Sequence, residues 1–231
     1  MAEEHVKELT QDEAAELARI EGSKLALEGV VDDLSSASRR KRQLSAHVIA
    51  LLVSRKPDMV APFIPDLLDA LERPEAQTRW EALDALALLA PEHAKECSGA
   101  YDGAEAALFD EDSAPLRLSA FHFLTAWGST ERRRSEKVWP ILDEAIQCFH
   151  GDLEYRDMLG LLYMFASGQV SGTVAEELAG RLQFDAEHGK GAYIKVRSHE
   201  IYEMLVKRFK LERPQKRVRV AKSDDTDDNE E

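Results

Sequence analysis

The chain has 231 residues, 44% of them apolar, enough to bury one sizeable core. Its 30 Lys and Arg face 44 Asp and Glu, a formal net charge of −14 that opposes wholesale wrapping around nucleic acid or adsorption to an anionic membrane. No apolar run approaches the roughly 18 residues needed to span a bilayer, and no signal-peptide core follows Met1. We therefore expect a cytoplasmic protein, with Cys97 and Cys148 as reduced thiols at core positions.

Residues 1–22 are strongly acidic. Thr10 and Glu13 have capping-box spacing, and Leu9, Ala14, Leu17 and Ala18 share one face, which predicts a helix through Ile20 acting as a polar cap. Arg42 then opens a run with Ser45, Val48, Ile49 and Leu52 at helical spacing. Arg79 opens the clearest copy, with Ala82 and Ala85 among Leu83, Leu86 and Leu89. Further copies start at Arg117 (Ala120, Phe123, Leu124, Trp127), Arg156 (Leu159, Gly160, Leu162, Tyr163) and Arg197 (Ile201, Met204, Leu205). The arginines are 37, 38, 39 and 41 residues apart, a period that marks stacked two-helix units.

A second helix precedes each run. Leu34, Leu71, Phe109 and Cys148 stand eight residues before the first four arginines, and Val31, Leu68, Ala106 and Ala145 eleven before; both sets are predicted to face the core. Pro62, Pro65 and Pro140 suit a helix's first turn. Asp112, Ser113 and Asp152 suit the turn between paired helices. No period-two alternation indicates a sheet.

These features resemble the HEAT-repeat family. The residues carrying the likeness are Pro65-Asp66-Leu67-Leu68, the acidic turn, and the Arg79, Ala82, Ala85, Leu86 spacing of the following helix, over roughly residues 22 to 209. The resemblance implies a curved platform for proteins or nucleic acid whose second helices line the concave side. The expected fold is all-α: a right-handed α-solenoid of about five helix pairs over 23–209, an acidic helical cap over 1–22 and a disordered tail over 210–231. Leading into and along that tail, Lys207, Arg208, Lys210, Arg213, Lys216, Arg217, Arg219 and Lys222 precede six acids between Asp224 and Glu231.

Position five after the arginine holds His47, Asp84 and His122, which equivalent helices place in one row. Such a row has only three members and no fourth ligand, so it reads as polar surface rather than a metal site. Trp80 and Asp84 lie on one helix face and resemble part of the active site of alkylpurine DNA glycosylases with HEAT-like repeats, but Trp127, the second aromatic needed, aligns with core Leu89. No nucleophile elbow, catalytic triad or paired carboxylates are present. Gly189-Lys190-Gly191 lacks the ending of a phosphate loop. No catalytic residue, metal or cofactor is expected.

The reading is a scaffold that binds a protein or peptide through Gln43, His47, Trp80, Glu81, Asp84 and His122. The alternative is nucleic-acid association through Arg39, Arg40, Lys41 and Arg42 with Lys216, Arg217 and Arg219 of the tail. The first of these basic groups is also explained by pairing with Asp32 and Asp33. Arg132, Arg133 and Arg134 are placed in a loop, solvated.

Overall fold

A computed structural model describes residues 9–212. Among them the chain is helical, with no strand. Its helices are α1 (Gln11–Glu21), α2 (Lys24–Asp32), α3 (Arg39–Val53), α4 (Pro57–Val60), α5 (Ile64–Ala70), α6 (Ala76–His93), α7 (Tyr101–Leu108), α8 (Ala114–Gly128), α9 (Arg132–Phe149), α10 (Tyr155–Ser167), α11 (Gly172–His188) and α12 (Ala192–Phe209). Five pairs result: α2 with α3, α5 with α6, α7 with α8, α9 with α10, and α11 with α12. Each repeat arginine lies in the second helix of its pair.

Local chemistry starts these helices where the sequence says. The Thr10 hydroxyl accepts from the Glu13 amide at 3.2 Å, and the Glu13 carboxylate accepts from the Thr10 amide at 2.7 Å. That closes a capping box at the start of α1. Ser113 caps α8 through the Leu116 amide, and Pro65 sits in the first turn of α5.

The second helices pack on one another in sequence, α3 on α6, α6 on α8, α8 on α10 and α10 on α12. The first helices meet more sparsely, α5 through the short turns at 33–35 and 96–100. The tighter side of a curved array is its inside, so the second helices form the inner face. Ser45, Ala82 and Ala120 occupy the same place in three units, and all are buried. Their small side chains let neighbouring backbones approach, and the Ser45 hydroxyl is satisfied by the Val30 carbonyl. Leu52, Leu86, Phe123, Leu162 and Phe165 fill the continuous core between rows. Each contributes about 1.5–3 kcal/mol by leaving water. Helix α1 stands beside α3 as an extra member of the inner row.

Four sequence expectations shift. Cys148 is exposed, not core, because α9 runs unbroken to Phe149 and that residue takes the inward place, stacked on Phe109 at 6.2 Å. Ala106 is likewise exposed. Pro140 lies inside α9 rather than in its first turn; it and Glu136, whose carbonyl loses its helical donor, are both exposed, so water is at hand. Arg132, Arg133 and Arg134 form the first turn of α9, not a loop, and Arg134 donates to the Thr130 hydroxyl at 2.8 Å. Leu34, Leu71 and Phe109 all sit at the ends of first helices, as the repeat requires.

Candidate functional site

The polar residues of the inner face meet across units by a simple rule. The side chain five residues after one arginine faces the side chain two residues after the next. His47 on α3 therefore meets Glu81 on α6, its Nδ1 2.9 Å from Oε1, while its Nε2 lies 2.8 Å from Glu13 on α1. Asp84 on α6 meets Ser119 on α8, whose hydroxyl donates at 2.9 Å, and takes His122 Nδ1 at 3.0 Å. The expected row of His47, Asp84 and His122 thus resolves into two separate sets, Glu13–His47–Glu81 and Asp84–Ser119–His122. Asp84 and His122 meet at equivalent positions, whereas His47 is drawn instead to position two of the next unit and to α1.

The first set is a clamp on the cap. Burial disfavours the charged His47 ring, but hydrogen bonds to Glu13 and Glu81 outweigh it and raise its pKa. The hydrogen bond from His47, with those from Thr10, holds the Glu13 carboxyl down at about 2. The second set opens onto a shallow groove across four inner helices, lined by Asp84, Leu118, Ser119, His122, Asp157, Leu161 and Tyr193. It mixes apolar floor with fixed acceptors and donors, as docking surfaces do.

The repeat arginines have a different job. Arg42 forks onto Glu75 at the start of α6, with Nε 3.1 Å from Oε2, and donates to the Ser36 carbonyl at 2.6 Å. Arg79 lies 4.0 Å from Asp110. Arg117 donates to Glu154 at 2.7 Å and to the Asp110 carbonyl at 2.7 Å, and stacks over Phe149. Arg42 and Arg117 thus staple their own helix pair to the turn of the next, and Arg79 faces the corresponding acid at ion-pair range.

No family model matches the sequence, and no curated protein does. Solved structures do. A designed armadillo repeat protein in complex with a (KR)4 peptide superposes with a TM-score of 0.68 at 17% identity, over 82% of this chain and 85% of that one. The armadillo-repeats-only protein of Plasmodium falciparum superposes with a TM-score of 0.59 at 13% identity, over 86% and 99%. A HEAT-like repeat protein of the archaeon Thermococcus onnurineus NA1 superposes with a TM-score of 0.53 at 10% identity, over 87% and 94%. The chain has an armadillo/HEAT-like repeat fold.

On this solenoid the sequence-derived candidates separate. Gln43, His47, Trp80, Glu81, Asp84 and His122 all lie on inner-row helices and all are half-buried. Trp80 packs partly against the core. Trp127 is buried, its indole N–H donating to the Ala94 carbonyl at 2.7 Å, so it frames nothing in the groove. Of the basic group opening α3, Arg42 is committed to Glu75 and Lys41 lies 3.1 Å from Asp33, which leaves Arg39 and Arg40 exposed. Lys216, Arg217 and Arg219 lie outside the described residues. Sequence reasoning missed Glu13, Ser119, Asp157, Leu161 and Tyr193. The period contained the signal for Ser119, which sits two after its arginine as Glu81 does; nothing in a single unit pointed to Glu13.

Proposed function

We propose that this chain is a non-catalytic repeat scaffold that docks a protein or peptide segment along its inner groove. The observation that carries the reading is the groove over α6, α8, α10 and α12, where Leu118 and Leu161 are flanked by Asp84, His122, Asp157 and Tyr193. The likeness to a designed armadillo protein complexed with a peptide supports it. Of the residues picked from sequence, Asp84 and His122 line this groove, while Trp80 lies on α6 packed partly against the core. His47 and Glu81 serve the cap clamp, and Gln43 lies on α3, whose inner-face histidine is already taken up by that clamp.

The test is a peptide selected from a display library against the intact protein, then titrated against variants. Leu118→Glu with Leu161→Glu should weaken binding at least about 100-fold, as burying two unpaired charges at an interface costs several kcal/mol. Asp66→Ala, exposed on the first-helix row, should leave it unchanged. Equal affinity for the groove variant and the parent would remove this reading.

A further inference from the structure

The arginine staple stops working after the third unit. Arg42, Arg79 and Arg117 each face a carboxylate of the next unit: Glu75, Asp110 and Glu154. The corresponding turn between α11 and α12 is Gly189-Lys190-Gly191, with no carboxylate. Arg156 accordingly makes no ion pair among the described residues; its guanidinium lies over the Tyr193 ring at 4.3 Å and is exposed. Arg197 belongs to the last of the described units, and no further turn follows it among the described residues. It lies 5.0 Å from the Tyr163 centroid and 5.8 Å from that of Tyr193, and its Nε is buried with no hydrogen-bond partner among the described residues. Two guanidiniums thus share one tyrosine at the end of the groove, with Glu200 2.9 Å from Arg197 and Asp157 beside Arg156 offsetting part of their charge.

We propose that Arg156 and Arg197, gathered around Tyr193, receive the carboxylates of this chain's own acidic stretch, residues 224–231. Charge order favours it. Followed back from Phe209, α12 presents Glu203 and Glu200 and then Arg197. The chain beyond 212 presents Arg213, Lys216, Arg217, Arg219 and Lys222 and then Asp224, Asp225, Asp227, Asp228, Glu230 and Glu231. The six acids lie beyond the five cations, and their sign is the one the arginine pair lacks. Reach is sufficient: Arg197 is about 18 Å along the helix from Phe209, and the chain from 212 to 224 spans up to about 40 Å. Planar guanidinium suits bidentate carboxylate capture while its face stays on an aromatic ring. Where the first three units take a carboxylate from the next turn, Arg156 takes one from residues 224–231, and Arg197 adds one to the Glu200 it already holds.

The test places a nitroxide at Ser223→Cys in a Cys148→Ser background. The remaining thiol, Cys97, is buried and its pKa pushed up to about 12, so it does not react. The label should attenuate amide signals around 156–163 and 193–197 in the full chain at low salt, and the effect should fade as the Debye length shortens from about 30 to about 8 Å. Arg156→Glu alone, at an exposed position, should remove most of it, and Arg156→Glu with Arg197→Glu all of it. Changing the six acids to lysine in that double variant should restore it. No attenuation at low salt, attenuation indifferent to Arg156→Glu, or transfer between labelled and unlabelled chains in a mixed sample would each overturn the proposal. No partner is involved, so this outcome is independent of the peptide titration.

Discussion

The staple argument makes a sharp comparison between two arginines at the same repeat position. Arg117→Met keeps the aliphatic stem and removes the fork. It deletes the bond to Glu154 at 2.7 Å and the bond to the Asp110 carbonyl at 2.7 Å. The Glu154 side chain is only 14% exposed and is left without its counter-charge. A hydrogen bond between charged groups contributes about 1.5–3 kcal/mol and one to a backbone carbonyl about 1. With the pair partly in contact with water, the loss should be about 2–4 kcal/mol. Arg156→Met removes a guanidinium that rests on a tyrosine with no ion pair among the described residues, and should stay within about 0.5 kcal/mol. Urea titrations followed by circular dichroism measure both. The Arg117 variant should also broaden or split the transition, because in a linear array the damage falls on the contact between the third and fourth units. Equal midpoints for the two variants would show that the arginines are interchangeable surface charges and that the staple is not a source of stability.

Other perturbations test other contacts. The clamp on α1 has a pH window. His47, with its pKa raised above 6.5, contributes fully below that value and loses its contribution as pH rises through the folded pKa; Glu13, lowered from 4.5 to about 2, contributes above 4.5 and fails as pH falls toward 2. Amide exchange in α1, corrected for intrinsic rates, should therefore be slowest between those limits and faster once pH passes the raised His47 pKa, and His47→Gln should flatten that alkaline part of the dependence. Gly128→Ala should destabilise by about 1 kcal/mol, because a Cβ there meets Val138 Cγ2 at 2.5 Å and the stiff valine cannot yield, so overpacking exceeds the propensity gain. Gly180→Ala, in open space on α11, should instead stabilise by about 0.5–1 kcal/mol; a thermal melt of each decides the pair. Tyr155→Phe takes the O–H donor at 2.8 Å from buried Asp185 and leaves His150 as the remaining one, an expected loss of about 1.5–3 kcal/mol in the same melt.

The repeat was legible because burial imposes it. Ser45, Ala82 and Ala120 must be small where neighbouring backbones meet, and Leu52 and Leu89 must be apolar, so each unit writes the same pattern at the same offset. Caps were legible for a similar reason: Thr10 with Glu13, and Ser113, act within four residues of themselves. Residues eight before the arginine read less well, because first helices differ in length; α7 ends at Leu108 while α9 continues to Phe149 and carries Cys148 out to solvent. The inner-face pairing was only partly visible in the sequence. Aligning units by their arginines put His47, Asp84 and His122 in one row; Asp84 and His122 do meet, but packed helices are offset along their axes, and the offset also sets position five against position two of the next unit. A skew of that kind is fixed by how side chains interlock between helices, which no single unit's pattern records.

The two ends of the described array are held by different chemistry. At the N-terminal end α1 supplies Glu13 to His47 and Glu21 to Arg55 and Lys56, so the first inner helix is held by carboxylates as the later ones are. At the C-terminal end no further helix follows among the described residues. Arg208 bends back instead, donating to the Ala166 and Ser167 carbonyls at 2.9 and 3.1 Å and satisfying the last turn of α10. That leaves acceptors in good supply at one end and cations in excess at the other. Arg156 and Arg197 are what remains when a unit keeps the staple residue but loses the turn that answered it. Restoring a carboxylate there by Lys190→Glu should give Arg156 an internal partner, stabilise the contact between the fourth and fifth units, and lower the attenuation produced by a nitroxide at position 223. If stability rose while the attenuation stayed the same, Arg156 would be a staple in waiting and the acidic stretch would have to be held by something else.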